Sequence, residues 1–233
     1  MENNMKNFIK SLKMIRYGLQ VKTMTILTLA FFAFGIVFEF TMSKSDGTNI
    51  TSGLYMAIAG VYAYQVITSS SVSSLVQTSS MKHGLQTTYP TLFTLITSLF
   101  TFTTFVIIRV CRINSLGGKD FDEFTLSSAK GILTCAFLVM ICAVYMGISY
   151  KSFIFSLVIL SLGVIAVMFS STFGRFSSLL DFANNWSMAT IIIVSYCMVL
   201  VGWVLCWLIS NLLYRKSIDT LAVRTALRQA AMK

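Results

Sequence analysis

Proline and histidine occur once each in this chain, as Pro90 and His83, and acidic residues number only eight against 18 Lys and Arg. So little proline, with 13 glycines in 233 residues, argues against a loop-rich all-β chain and favours long uninterrupted helices. Charged residues make up 11%, where soluble domains carry about 25%, and 56% of the chain is apolar, so an ordinary soluble domain is excluded. The same apolar content excludes disorder. Catalytic patterns are missing as well. The chain has no H-E-x-x-H, no G-x-S-x-G and no carboxylate cluster within its apolar runs, and a lone His83 in a loop leaves no Ser/His pair there. The Gly118-Lys119 pair is not a phosphate-binding loop, because Ile113 stands where glycine is needed and Asp120 where Ser or Thr would hold magnesium. The five cysteines (Cys111, Cys135, Cys142, Cys197, Cys206) show no C-x-x-C and no metal-ligand spacing. No enzyme activity and no bound cofactor or metal is therefore expected of this chain. A cleaved signal is not expected either: the polar lead is long, the run after it is span-length, and no A-x-A follows.

What the chain does hold is six apolar runs, each of about the 20 residues a membrane span needs. They are Thr23–Phe40, Ile50–Val76, Pro90–Cys111, Lys130–Ser149, Ser152–Phe173 and Met188–Tyr214. Helices satisfy their own backbone in lipid, so the expected fold is all-α, a polytopic membrane protein of six transmembrane helices. Only Tyr150-Lys151 separates the fourth and fifth runs, which forces a tight helical hairpin. An even span count puts both termini on one side. That side would carry 12 Lys and Arg (Lys6, Lys10, Lys13, Arg16, Lys22, Lys82, Lys151, Arg215, Lys216, Arg224, Arg228, Lys233) against 6 on the other (Lys44, Arg109, Arg112, Lys119, Lys130, Arg175). The positive-inside rule then makes it a multi-pass cell-membrane protein with cytosolic termini. The net charge of +10 sits at the ends of apolar runs, where anionic headgroups account for it, and nucleic acid is not an expected partner.

Three regions follow: residues 1–22, a cytosolic amphipathic helix; 23–214, the six-span domain; and 215–233, a basic cytosolic tail. In the first, Met5, Phe8, Ile9, Leu12, Ile15 and Leu19 share a face at steps of three and four, with Lys6, Lys10 and Lys13 opposite. That pattern suits a helix lying in the headgroup plane. On the outer side, 41–49 reads as a short turn, 112–129 as a longer loop with a Gly117-Gly118 turn, and 174–187 as an amphipathic hairpin dipping into the leaflet. Glu39 and Asp181, at span edges, are expected to face outward, so no ionisable residue is expected inside the hydrocarbon. The two halves share no motif, so an inverted-repeat transporter has no support.

Two polar stripes stand out. Gln65, Ser69, Ser73 and Gln77 recur every four residues down the second run, and Thr87, Thr91, Thr94, Ser98 and Thr101 at three or four down the third. Each stripe falls on one helix face. Small hydroxyl residues there permit close helix packing, with bonds across helices or back to their own backbone; alternatively they line a pathway or a subunit interface. Between the stripes lies a short polar loop, Thr78–Tyr89, presenting Ser79, Ser80, Met81, Lys82, His83 and Gln86 to the cytosol, with Pro90 at the first turn of the next helix.

An amphipathic basic N-terminal helix, six spans, a polar loop after the second and an outer hairpin before the last resemble the membrane subunit of a type-2 ABC exporter. The stretch SSSVSSLVQTSSMKHGLQTTYP is similar to the serine-rich end of the second span and following loop of small permeases of Gram-positive bacteria. The resemblance implies a connecting helix over about Asn3–Gln20, and a coupling helix within Thr78–Tyr89 seated on a separate ABC ATPase subunit. It also implies a smaller contact at Tyr150–Lys151, and a second copy or paralogous permease. ATP and magnesium would be bound by the partner ATPase. Two other functions fit the same layout: a substrate-capture subunit of an ATP-driven importer, and a non-transporting membrane interaction or self-protection protein.

Overall fold

The computed structural model describes residues 21–42, 50–70, 82–115, 121–173 and 186–220, and the regular structure among them is entirely helical. The helices are α1 (Val21–Met42), α2 (Thr51–Ser70), α3 (Lys82–Gln86), α4 (Thr88–Ser115), α5 (Phe121–Ser149), α6 (Phe153–Phe173) and α7 (Met188–Leu212). Among the described residues, four stretches are long and apolar enough to cross a membrane: Val21–Thr41, Lys82–Ser115, Phe124–Ser149 and Met188–Leu212. Helix α6 is apolar over Phe153–Val167. Helix α2 carries Tyr55, Tyr62, Tyr64, Gln65, Thr68 and Ser69, which dilute its apolar character. The chain is an all-helical, membrane-embedded bundle.

The expected long loop over 112–129 is a correction. Helix α4 continues through Arg112 to Ser115 and α5 already begins at Phe121. The reason is packing beyond the apolar runs: Ile113, Ser128 and Ala129 are all buried, and staying helical keeps them in contact while satisfying the backbone. The amphipathic helix over Asn3–Gln20, most of the outer turn and of the 174–187 hairpin, and the tail beyond Thr220 lie outside the described residues.

Helix α5 is the most enclosed of the four crossing stretches. It packs on α7 most extensively, and on α6, α2 and α4. Its buried Ile132, Ala136, Leu138, Cys142 and Met146 form the core with Met56 of α2 and Phe102 and Phe105 of α4. Helix α1 lies along α2, where Phe31 and Phe38 stack on Tyr62 and Tyr55 at centroid distances of 5.2 and 5.1 Å. Between α4 and α7, Phe102 meets Tyr196 edge-on at 5.2 Å, and the Tyr196 hydroxyl lies 2.8 Å from Thr103 Oγ1. Outward-facing Ile26, Leu29, Ile107, Ile154, Leu162 and Ile193 are each more than half exposed, and such an apolar shell is at rest only in lipid.

The α5–α7 crossing is close. A Cβ on Gly202 would stand 2.9 Å from Met140 Cα, and one on Gly147 would stand 3.1 Å from the Cys206 carbonyl oxygen. Backbone meets backbone at both points, the use small residues have in membrane helix packing.

Candidate functional site

Alternation of the helices gives the bundle two ends, each with a polar cluster. At one end α3 presents Lys82 and His83, anchored by Leu85, which is 1% exposed. Thr87 closes the short helix by donating to the His83 carbonyl oxygen through both its amide, at 3.0 Å, and its hydroxyl, at 2.7 Å. The exposed His83 ring meets Tyr214, just beyond α7, edge-on at 4.5 Å.

The turn between α5 and α6 reaches the same point. Lys151 Nζ donates to the Lys216 carbonyl at 2.8 Å and to the Tyr214 carbonyl at 3.4 Å, and sits 5.9 Å from the Tyr214 ring centre. Farther along, the Asp219 amide donates to the Tyr150 carbonyl at 3.1 Å, while Asp219 Oδ2 accepts from the Phe153 amide at 3.0 Å. That carboxylate satisfies one of the free N–H groups at the start of α6 and complements its dipole. Residues 213–219 therefore strap the α5–α6 turn and touch α3. Burial pushes the Tyr150 hydroxyl up to about 12, against a smaller opposing effect of a hydrogen bond with Thr68. Burial also lowers the Lys151 ammonium from its ordinary value, with nearby Lys82 adding to the effect.

Of the predicted loop residues, Lys82 and His83 lie on this face, whereas the Gln86 Nε2 is buried without a hydrogen-bond partner. Ser79, Ser80 and Met81 lie outside the described residues. The grouping of the loop with the Tyr150–Lys151 turn matches the expected topology. The part played by Tyr214 and Asp219 has no signature in the sequence.

The polar stripes meet between α2 and α4, and hydroxyls of both bond back along their own helices. Ser69 Oγ donates to the Val66 carbonyl at 2.9 Å, Thr94 Oγ1 to Pro90 at 2.8 Å and Thr101 Oγ1 to Ser98 at 3.2 Å. Ser98 is buried facing Gly60, and Gln65 is half-buried. Ser73 and Gln77 lie outside the described residues. Hydroxyls bonded this way act as small packing groups. Thr94→Val is expected to shift stability by no more than about 1 kcal/mol, since the Pro90 carbonyl keeps its helical partner; thermal unfolding in detergent checks this.

The opposite end holds what sequence reasoning missed. Glu39 of α1 and Arg109 of α4 are both 0% exposed, and Arg109 Nε lies 2.6 Å from Glu39 Oε1. Arg109 Nη2 is 3.4 Å from Glu39 Oε2, which also accepts a short hydrogen bond from Ser52 of α2. Arg112 Nη1 donates to the Glu39 carbonyl at 2.7 Å, and the Arg109 guanidinium lies 4.9 Å from the Phe105 ring centre. The expectation of no ionisable group inside the bundle is thereby overturned. Burial of either charge alone is prohibitive, and each makes the other's burial possible. The available signal was two opposite charges assigned to one side, each within a turn or two of its helix end.

No family model matches the chain, and no curated protein or solved structure matches it.

Proposed function

We propose that the chain is the membrane (permease) subunit of an ATP-driven exporter, with six spans and with the His83 end and both termini in the cytosol. In this reading α2 and α6 complete the six. The observation that carries the proposal is the convergence of α3, the α5–α6 turn and residues 213–219 on one face. A chain with no nucleotide-binding motif of its own needs such a face to take up work from a partner. A partner ATPase would bind ATP and magnesium, dock at Lys82 and His83, and move α3 with the start of α4 as a rigid unit; a second copy or a paralogue would complete the permease. The buried Glu39–Arg109 pair supports the same mechanism by holding α1, α2 and α4 together at the far end, where an exporter must open.

The test is co-purification of an ABC ATPase with this chain in mild detergent, with the ATPase rate of the complex measured in nanodiscs. Lys82→Glu combined with His83→Glu should cut ATPase association and stimulation at least about tenfold, because like charge at a docking point lowers affinity by more than 1.4 kcal/mol. Unchanged association and unchanged stimulation would sink the exporter reading.

A further inference from the structure

Among the described residues, the His83 end gathers more cationic than acidic side chains. Lys82 opens α3, Lys151 forms the α5–α6 turn, and Arg215 and Lys216 directly follow Tyr214. The contacts of His83 and Lys151 with Tyr214 and with the backbone after it bring these segments together. Among the described residues none of these four cations forms an ion pair. Asp219 is the acidic group of this strap, and its Oδ2 is held by the Phe153 amide at the start of α6. Lys151 is turned inward onto the Tyr214 and Lys216 carbonyls, while Arg215 and Lys216 are exposed and Lys82 half-exposed.

Depth narrows the ligand. Arg215 and Lys216 come within four residues of the end of the 25-residue apolar α7, and Tyr214 beside them is a residue type that favours the headgroup level. At that level the abundant anion is phosphate. Two exposed cations directly after a tyrosine, with no acid between them, offer N–H donors to its oxygens.

We propose that Lys82, Arg215 and Lys216, arranged around Tyr214, form a binding site for the phosphate of an anionic phospholipid headgroup. Lys151 is the positioning residue that holds the backbone of this site from behind. The site does not rest on the exporter reading, and its test needs no ATPase.

The full chain in detergent is titrated with phosphatidylglycerol, with phosphatidylcholine and with inorganic phosphate, followed by native mass spectrometry and thermal unfolding. Phosphatidylglycerol should bind and raise the unfolding temperature, and the other two should not. Arg215→Gln with Lys216→Gln should weaken phosphatidylglycerol binding about thirtyfold, from roughly 1 kcal/mol per cation near a lipid surface. Lys82→Gln alone should weaken it about fivefold by the same measure, and Arg112→Gln, at the opposite end beside Glu39, should not change it. Each variant is compared at a matched unfolding temperature in phosphatidylcholine, so a folding defect is separated from lost binding. Equal binding of the two lipids, or an unweakened double variant, would overturn the site. Inorganic phosphate reproducing the shift would replace the lipid with a free anion.

Discussion

Arg109→Met, with Glu39 left in place, should destabilise the protein by about 3–5 kcal/mol, the typical cost of leaving a buried charge without its partner. The Glu39 carboxylate would keep only Ser52 of its side-chain donors described above, in a site with no solvent exposure. Glu39→Met alone should cost a similar amount, since the Arg109 guanidinium would keep the Phe105 ring but lose its counter-charge. The double replacement should recover most of the loss, because two apolar side chains of similar volume remove both desolvation penalties together. A double-mutant cycle by thermal or dodecyl sulfate unfolding reads this directly, with an expected coupling of at least about 2 kcal/mol. Single losses that simply add would show that the two charges act independently and that the pair does not hold this end.

Gly202→Leu should be comparably damaging, for a steric reason. Its Cβ would lie 2.9 Å from Met140 Cα, and backbone cannot yield as a flexible side-chain tip can. Gly202→Ala is expected to cost about 1–3 kcal/mol, the usual range for overpacking a tight contact, and Gly202→Leu more, by driving α7 away from α5. Gly147→Leu should act alike through the Cys206 backbone on the other side of the same crossing. The control is Gly60→Ala, whose Cβ would meet Ser98 Oγ at 3.7 Å, an ordinary contact. That variant should be neutral or stabilising by up to about 1 kcal/mol through helix propensity. If all three glycines tolerate alanine equally in a detergent unfolding series, the close crossing is not what joins α5 to α7.

The helix class was legible because hydropathy is summed along the chain. Each apolar run has to find a self-satisfied backbone, and the Tyr150-Lys151 gap left no alternative to a tight turn. The loop predicted over 112–129 failed for the converse reason. Arg112, Asp122 and Glu123 lower the local hydropathy, yet helix continues through all three, since polar residues at a helix end do not break it. The stripes were legible as faces, and the choice between packing and a pathway was not, because a hydroxyl's partner depends on its rotamer.

Taken by itself, the order of residues determined that this is an all-helical membrane protein, where most helices begin and end, and that the loop at His83 lies at one end of the bundle with the Tyr150–Lys151 turn. Only the tertiary structure decided that Glu39 finds Arg109 across 70 residues of chain, that α5 and α7 touch through Gly147 and Gly202, and that Tyr214 joins the loop and the turn. The reason is rotational. Apolar content says that a helix enters the bilayer, while its rotation about its own axis, set by packing against its neighbours, decides which side chains meet.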